Sequence, residues 1–369
     1  MKLHIQSRRR TAIAAVVAAL AITVPTVAAQ ADVSPRAQTS AGFLKRELAA
    51  NGSHFETSGY PDYGLTLDSI LAMDAAGVGD YGSDKATDYV ASNIRSYISD
   101  GDPGHATTEQ YAGATAKALL VSLSQRVSPK GTLGGVNLVA KLRARENSNG
   151  RFRDKSAYGD YSNTIGQSLA LVSLKRVGVR LTTRSTTFLN KQQCPNGGFR
   201  IQMANTACTN SATADTDATS FAVQGLLAEP NTTARRTRIS KAIAYLRTRM
   251  NSSGGVSGGS PGEPTNTPNS NSTGLAMMSF VSTGHNTLAH ETRTYLISMR
   301  FVCRYPERMR GAVAYDASRK EEATAQGANA APIDQDRRST AQAVLGFAGK
   351  SLLQITNAGA MYGSPHISC

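Results

Sequence analysis

Residues 188–200 read FLNKQQCPNGGFR, and residues 214–228 read ADTDATSFAVQGLLA. In the first segment, apolar residues give way to a Pro-Asn-Gly-Gly turn, which is typical of the end of a helix. In the second segment, Asp215 stands at an expected helix N-cap, and apolar residues follow it at helical spacing. Together the two segments predict a helix, a Gly-Gly-Phe turn, a loop and a second helix that Asp215 caps.

The same unit recurs along the chain. With Thr219 as an anchor, a threonine followed by a small and apolar helical segment recurs at five further positions: Thr66, Thr115, Thr164, Thr273 and Thr340. Four residues before the anchor, five of the six units have an acidic residue or an asparagine: Asp62, Asp160, Asp215, Asn269 and Asp336. The second unit departs from this rule with Tyr111. We predict that the five acidic or amide side chains cap their helices.

A second, more charged helical segment accompanies each anchor, as expected of helices with one solvent-exposed face. These outer segments are predicted at residues 41–50, 85–98, 135–146, 183–193, 234–250 and 287–302. Six such hairpins predict an all-α fold, an α/α toroid whose inner helices run parallel around a central cavity. The alternative is an open solenoid, which needs polar caps at both ends, and neither end of the array has an obvious one.

The first 31 residues have the pattern of a secretory signal peptide. Lys2 and three consecutive arginines precede an apolar run, and Ala29-Gln30-Ala31 offers a small-residue cleavage site. No later segment is apolar for long enough to cross a bilayer. We therefore expect a secreted, extracellular protein with a signal peptide at 1–31, a toroid domain at 32–348 and a C-terminal tail at 349–369 packed on the last repeat.

The chain is basic, with a formal net charge of +14. Removal of the four positive charges in residues 1–31 leaves +10. The remaining positive residues are scattered and are not interleaved with aromatic residues, so we expect a solvated basic surface and no nucleic-acid partner. Four cysteines in an exported chain predict two disulfides. We predict that Cys194 pairs with Cys208 and that Cys303 pairs with Cys369.

The Gly-Gly-Phe turn, the Asp-Thr-Asp-Ala-Thr run at residues 215–219 and the sixfold repetition resemble the α/α-toroid superfamily. That group includes terpenoid cyclases, the β subunits of protein prenyltransferases, complement and macroglobulin thioester domains and cobalamin carriers. The resemblance covers nearly the whole mature chain. It implies the fold more strongly than the function, because this fold hosts both catalysts and binding proteins.

The resemblance to protonation-initiated cyclases implies a catalytic role for two carboxyl groups. In their Asp-x-Asp-Asp motif the middle Asp is the general acid, so Asp217 would be the acid and Asp215 its neighbour. Here Ala218 replaces the last Asp, and the chain has no Trp, so the repeated Gln-Trp motif of those enzymes is absent. Both carboxyl groups also fit simpler roles, Asp215 as an N-cap and Asp217 as a complement to the helix dipole.

No metal or cofactor is expected. Prenyltransferases hold zinc with an Asp, a Cys and a His, but none of the five His residues beyond residue 31 lies at a metal-binding spacing from a Cys. The Cys-Gly-Glu-Gln run of the thioester domains is also absent.

Parallel inner helices would gather their N-termini at one rim of the ring, where their dipoles favour an anionic or polar ligand. The predicted rim consists of Asp62, Tyr63, Asp160, Tyr161, Asp336 and Arg338. Arg338 replaces the small or amide residues found at the same position of most repeats. Asp217, across the rim, is a candidate partner for it.

The favoured interpretation is a secreted, non-catalytic toroid that binds a small molecule or a cell-envelope component in its central cavity. One alternative is a terpenoid-cyclase-like or prenyltransferase-like enzyme with Asp217 as general acid. It requires Asp217 to lie in a cavity lined by Tyr and Phe. Another alternative is an extracellular interaction scaffold that presents the loop at residues 252–272, which requires a filled centre. The sequence does not indicate the oligomeric state.

Overall fold

The computed structural model describes residues 34–105, 107–262 and 266–369, so the predicted signal peptide lies outside the described residues. Within these ranges the helices are α1 (Pro35–Ala50), α2 (Tyr63–Ala76), α3 (Asp80–Ser92), α4 (Ile94–Ile98), α5 (Ala112–Ser124), α6 (Leu138–Arg143), α7 (Thr164–Arg176), α8 (Thr183–Lys191), α9 (Thr216–Ala228), α10 (Thr233–Thr248), α11 (Ser270–Ser282), α12 (Asn286–Met299), α13 (Ala317–Gln326) and α14 (Asp334–Ala348). Three short antiparallel hairpins join them: β1 (Glu56–Thr57) with β2 (Tyr60–Pro61), β3 (Thr132–Leu133) with β4 (Val136–Asn137), and β5 (Phe199–Arg200) with β6 (Ala214–Asp215).

Six inner helices form a closed ring. In chain order they are α2, α5, α7, α9, α11 and α14; each packs against the next, and α14 packs against α2. Outer helices pack on this ring from outside, for example α10 on α9 and α12 on α11. The contact between the first and last inner helices excludes an open solenoid and confirms the predicted all-α toroid.

One hydrogen-bond pattern joins each turn to its inner helix. The Thr219 hydroxyl accepts a hydrogen bond from the backbone N–H of Phe199 at 2.8 Å and donates one to the carbonyl of Asp215 at 2.6 Å. Thr66, Thr273 and Thr340 make the same pair of hydrogen bonds in their own repeats. The repeated threonine therefore fixes the turn on the first turn of the helix.

In the third repeat this role belongs to Gln167, and the prediction of Thr164 as anchor is wrong. The side-chain carbonyl of Gln167 accepts from the backbone N–H of Phe152 at 2.9 Å. The cap of α7 is accordingly Asn163, four residues before Gln167, and not Asp160. Here a glutamine amide replaces the threonine hydroxyl of the other repeats. Thr164, three residues earlier, is the nearest threonine and shifted the alignment.

Three of the predicted caps are confirmed. Asp62, Asp215 and Asn269 accept hydrogen bonds from first-turn N–H groups at 2.8, 2.7 and 2.9 Å. Asp336 is not the N-cap residue, because α14 begins earlier, at Asp334; instead its carboxylate accepts from the N–H of the N-cap residue Ile333 at 3.1 Å. Asp336 therefore lies inside the first turn.

The outer helices differ from the predicted bounds where local backbone geometry intervenes. The segment 85–98 is broken at Asn93 into α3 and α4. The segment 135–146 forms only α6, because Gly134 and Gly135 adopt positive φ in the turn between β3 and β4 and delay the start of the helix. Helix α13 was not predicted.

Close backbone approaches at turn glycines hold successive repeats together. A Cβ atom on Gly197 would lie 2.3 Å from the carbonyl oxygen of Lys241 on α10. A Cβ atom on Gly311 would lie 2.5 Å from the carbonyl oxygen of Thr39 on α1. Both glycines have positive φ, so another residue is excluded by conformation as well as by space. Because Gly311 belongs to the last turn and α1 is the first outer helix, its contact helps to close the ring.

The residues after α14 cover the C-terminal end of the ring. Leu352 and Ile355 are fully buried, and Arg176 of α7 donates hydrogen bonds to both of their carbonyls, at 3.0 and 2.6 Å. Asn357 hydrogen-bonds to the carbonyls of Ser124 and Gln125 at the end of α5. The tail therefore reaches across the ring to early repeats, beyond the last repeat to which the sequence assigned it.

Both predicted disulfides are present. Cys194 pairs with Cys208 and closes the loop between α8 and α9. Cys303 pairs with Cys369 and fixes the end of the tail to the segment after α12. Structural disulfides are typical of proteins from oxidising compartments. In the part of the chain that the structure describes, no helix is long and apolar enough to cross a membrane.

Replacement of the anchor hydroxyl tests its role. In Thr219→Val the buried N–H of Phe199 loses its acceptor, so we expect the free energy of unfolding to fall by about 1–3 kcal/mol. Thr219→Ser keeps the hydroxyl and should lose less. Urea denaturation followed by circular dichroism measures both, and an unchanged midpoint for the valine variant would show that the hydrogen bond does not hold the turn.

Candidate functional site

Two positions of each inner helix define a hollow at the N-terminal end of the ring. The first is two residues after the cap or its equivalent: Gly64, Gly113, Ile165, Asp217, Asn271 and Arg338. The second is four residues further on: Asp68, Lys117, Leu169, Phe221, Leu275 and Gln342. Most of these twelve residues are partly exposed, although the helices around them are largely buried. Because equivalent positions in a ring share one orientation, we infer that they face its axis, and we call this hollow the cup.

The cup has an apolar side and a polar side. Its apolar side is formed by Ile165 and Leu169 of α7, Phe221 of α9 and Leu275 of α11. A cavity of about 280 Å³ opens between α5 and α7, and it is lined by residues of the cup together with Tyr97, Tyr111, Asp154 and Tyr161. Its volume is close to the lower end of the range for small-molecule sites.

An ion pair occupies the side of the cup next to α2. The ammonium group of Lys117 lies 2.7 Å from a carboxylate oxygen of Asp68. Burial opposes the charge on Lys117, but Asp68 outweighs it and raises the pKa of the ammonium group above its usual range. Burial also raises the pKa of the neighbouring Tyr97 to about 12. Lys117 therefore stays charged and Tyr97 stays a neutral hydroxyl.

Asp217 is a half-buried residue whose carboxyl group has an altered acidity. Burial raises its pKa to about 6, and repulsion from Asp215 adds to the shift. Ser272 is a hydrogen-bonding neighbour of the carboxyl group, but Oδ1 is buried and has no hydrogen-bond partner among the described residues. A carboxyl group that titrates near pH 6 can hold a proton near neutral pH and donate it to a bound molecule.

Asp215 has a structural role. Its Oδ1 accepts the capping hydrogen bond from Ala218 at 2.7 Å, and burial raises its pKa. Its charge therefore helps to raise the pKa of Asp217, while its own Oδ1 is occupied by the capping hydrogen bond.

Further acceptor oxygens without partners lie on the next two inner helices. Oδ1 of Asn271 on α11 and Oε1 of Gln342 on α14 are buried and, within the described ranges, unpaired. Unpaired buried oxygens are uncommon in native proteins and call for an explanation. Together with Asp217 they place three such groups on one side of the cup.

Arg338 does not face Asp217, its candidate partner across the rim. Its guanidinium group contacts Asp62 of α2 and lies 2.7 Å from Asp334. Helix α11 separates α14 from α9, whereas α2 is the direct neighbour of α14. Burial opposes ionisation of Asp62, but the N–H of Leu65 and Arg338 hold its pKa below the usual range. The pair therefore joins the last inner helix to the first.

Two of the predicted rim carboxylates lie elsewhere. Asp336 has no exposed surface and pairs with Arg319 at 2.7 Å, so it is not accessible to a ligand. Asp160 pairs with Arg151 at 2.8 Å and Arg153 at 3.2 Å, outside the cup. Both were assigned to the rim because they were aligned as N-cap residues, a position that neither occupies.

The two predicted rim tyrosines lie near the mouth of the cup. Tyr63 is half-buried, and its ring centroid lies 6.1 Å from that of Tyr97. Tyr161 is 75% exposed and lines the 280 Å³ cavity.

The sequence analysis missed the polar residues of the second position. Asp68, Lys117 and Gln342 all stand six residues after the cap or its equivalent, in helices that are otherwise small and apolar. That shared position was a signal available in the sequence. Asn271 occupies the same repeat position as Asp217, and the sequence analysis assigned it no role. Within the ranges that the structure describes, no group of three His, Cys, Asp or Glu could hold a metal ion.

Comparison with known proteins relates the chain to others by fold. No family model matches the sequence, and no curated protein aligns with it. Among solved structures, a variant of the type II terpene cyclase MstE from Scytonema, in complex with geranylgeranyl dihydroxybenzoate, superposes with a TM-score of 0.55 at 14% identity, over 87% of this chain and 97% of that one.

Unsaturated glucuronyl hydrolases are similar as well. One specific for heparin gives a TM-score of 0.57 at 10% identity, over 85% of this chain and 96% of that one. The enzyme from Bacillus sp. GL1 gives 0.52 at 11% identity, over 84% and 95%. At these identities the likeness shows a common toroid fold.

The pKa of Asp217 predicts a pH-dependent effect on stability. Its pKa of about 6 in the folded state exceeds the 3.8 of an unperturbed Asp, so ionisation of Asp217 destabilises the fold as pH rises through this window. Asp217→Asn removes that cost. We compare the free energy of unfolding of the variant with that of the wild type at each pH. We expect the advantage of the variant to be larger at pH 8 than at pH 4, by up to about 3 kcal/mol.

Chemical denaturation across pH 4–8 measures this gain, with Asp88→Asn on the exposed face of α3 as the control. A gain that does not change with pH would contradict the assigned acidity.

Proposed function

We propose that this chain, a protein of the α/α-toroid fold, is an enzyme that holds a small molecule in the cup and protonates it with Asp217. The observation that carries the proposal is the carboxyl group of Asp217, whose pKa is raised to about 6 and whose Oδ1 is buried with no hydrogen-bond partner among the described residues. This replaces the non-catalytic interpretation that the sequence favoured. The similar solved structures are of enzymes, which supports the change.

The lining of the cup favours an amphiphilic substrate. Ile165, Leu169 and Phe221 offer apolar surface to a hydrocarbon portion, while Lys117 and Gln342 offer polar contacts to a head group. The terpene cyclase among the similar structures was solved with such a molecule, geranylgeranyl dihydroxybenzoate. A cyclase-like acid requires Asp217 to lie in a cavity lined by Tyr and Phe. The aromatic groups near the cup are Phe and Tyr, but Asp217 is not among the residues that line the 280 Å³ cavity, so the condition is met only in part.

The proposed step is a proton transfer from the carboxyl group of Asp217 to an electron-rich carbon or oxygen of the substrate. Asp215 keeps Asp217 protonated by charge repulsion, and burial removes the water that would stabilise the carboxylate. The proton returns to Asp217 when the product loses one or when water is added. We also propose that the protein acts after export, because its two disulfides suit an oxidising compartment.

A second candidate is non-catalytic binding in the same cup. The unpaired acceptors of Asn271 and Gln342 favour it, since they could bind the hydroxyl or amine donors of a ligand without any chemistry. The interaction scaffold stays a prediction, because part of its loop, residues 263–265, lies outside the described residues.

An unbiased search for turnover tests the enzyme. The purified protein is incubated with fractionated extracts of its own culture, and mass spectrometry compares the mixtures before and after incubation. We expect one compound to be consumed by the wild type and by Asp88→Asn, and consumed at least about a hundredfold more slowly by Asp217→Asn. Turnover by the wild type should fall as pH rises above about 6, because the acid must be protonated.

Native mass spectrometry of the same samples separates the two candidates. Retention of an unchanged ligand by both the wild type and Asp217→Asn would favour a binding protein and would overturn the enzyme. Consumption of the compound by Asp217→Asn at the wild-type rate would remove Asp217 from the mechanism.

A further inference from the structure

A depression crosses the outside of the ring beside a short outer helix, α6. Helix α6 has 6 residues, whereas α10 has 16 and α12 has 14. The inner ring is therefore less covered here, and two adjoining hollows of about 340 and 440 Å³ share Ala144 in their linings. We call this depression the α6 groove.

The α6 groove is lined by cations, most of which form no ion pair among the described residues. Arg95, Lys141, Arg145, Arg153 and Lys155 line it. Among the described residues, only Arg153 of these five lies within 4.0 Å of a carboxylate oxygen. Unpaired cations on one surface generate a field that attracts polyanions.

Arg145 is the central cation of the groove, and it is half-buried. Its Nε is buried and has no hydrogen-bond partner within the described part of the chain. Burial lowers the pKa of its guanidinium group, and attraction to Asp154 offsets only part of that effect. An anion beside Arg145 would satisfy the free donor and stabilise the charge.

Nearby carboxyl groups are engaged with backbone donors. Asp154 accepts a hydrogen bond from the N–H of Ala112 at 2.7 Å and so caps α5, whose own cap residue Tyr111 makes no side-chain capping bond. Glu109 accepts from the N–H of Ala157 at 2.8 Å and is almost fully buried. Two carboxylates in the lining still offset part of the groove's charge, because Asp154 acts electrostatically on Arg145 and Asp160 pairs with Arg153; five cations therefore face two carboxylates.

The groove leads to the cup. Asp154 lines both the 340 Å³ hollow of the groove and the 280 Å³ cavity at the mouth of the cup. An extended molecule in the groove would therefore have one end beside the cup.

We propose that the α6 groove binds a linear anionic polysaccharide. Its cations follow one another along an open channel, which suits a chain with a charge on successive units. No aromatic residue lines the two hollows of the groove, so it offers no platform for stacked bases. This property favours a glycan over a single-stranded nucleic acid. The proposal does not require that the cup be catalytic.

Binding measurements on charge-matched variants test this. Fluorescein-labelled dextran sulfate and polygalacturonate present sulfates and carboxylates, and neutral dextran controls for the sugar backbone. The groove variant is Arg95→Gln/Lys141→Gln/Arg145→Gln. The control, Arg236→Gln/Lys241→Gln/Arg247→Gln, removes the same charge from exposed positions of α10.

We expect the groove variant to bind an anionic glycan at least about tenfold more weakly, and its plot of log affinity against log salt to be shallower by about three. The α10 variant should stay within about twofold of the wild type. Dextran should not bind to any of the proteins. Whichever of the two polymers binds more tightly identifies the sulfate or the carboxylate as the recognised group.

Equal losses in both variants, or none in either, would overturn the groove as a specific site. Tighter binding of single-stranded DNA than of both glycans, lost in the same variant, would also overturn the proposal. Because Arg145 is half-buried, Arg95→Gln/Lys141→Gln is measured in parallel as a variant that leaves it in place. Asp217→Asn should bind the glycan like the wild type, so a failure of the enzyme proposal is distinguishable from a failure of this one.

Discussion

The ring depends on one constraint, which is that a buried backbone N–H in the turn before an inner helix must find an acceptor. In four repeats a threonine hydroxyl supplies it, as Thr219 does for Phe199, and in the third repeat Gln167 supplies it for Phe152. The hydroxyl also donates to a carbonyl of its own helix, so turn and helix are held at a fixed angle. The same link in five of the six repeats positions successive inner helices alike, and the last inner helix, α14, packs against the first, α2.

Closure then adds contacts that no single repeat contains. The close approach of Gly311 to α1 and the ion pair between Arg338 and Asp62 both join the end of the repeat array to its beginning. The tail strengthens the closed state, because Leu352 and Ile355 are buried at the C-terminal end of the ring and Cys369 is bound to Cys303. With that end covered, access from outside is through the N-terminal end, where the cup lies.

The cup shows how a fold with one geometry can support different chemistries. Its positions are set by the ring, but the side chains at those positions differ from repeat to repeat: glycine on α5, isoleucine on α7, aspartate on α9. The acidity of Asp217 comes from its environment, since burial and a neighbouring carboxylate both favour the protonated form. Asp215 is the same residue type with a structural role. It lies four residues before the anchor threonine, and its side chain caps α9.

The helical repeat, the all-α ring and the caps at Asp62, Asp215 and Asn269 were predictable from the sequence, because they depend on local spacing and on residues that recur. The two disulfides were predictable because the chain has only four cysteines. The sequence did not determine which partner each charged residue finds. Asp336 and Asp160 occupy the aligned cap position, yet they pair with Arg319 and Arg151, since small shifts in where α14 and α7 begin redirect the side chains. Only the tertiary structure decided that Arg338 meets Asp62, that Asp68 and Lys117 share the cup and that the tail crosses the ring. Those contacts join residues far apart in sequence, and their geometry is fixed only once the ring has closed.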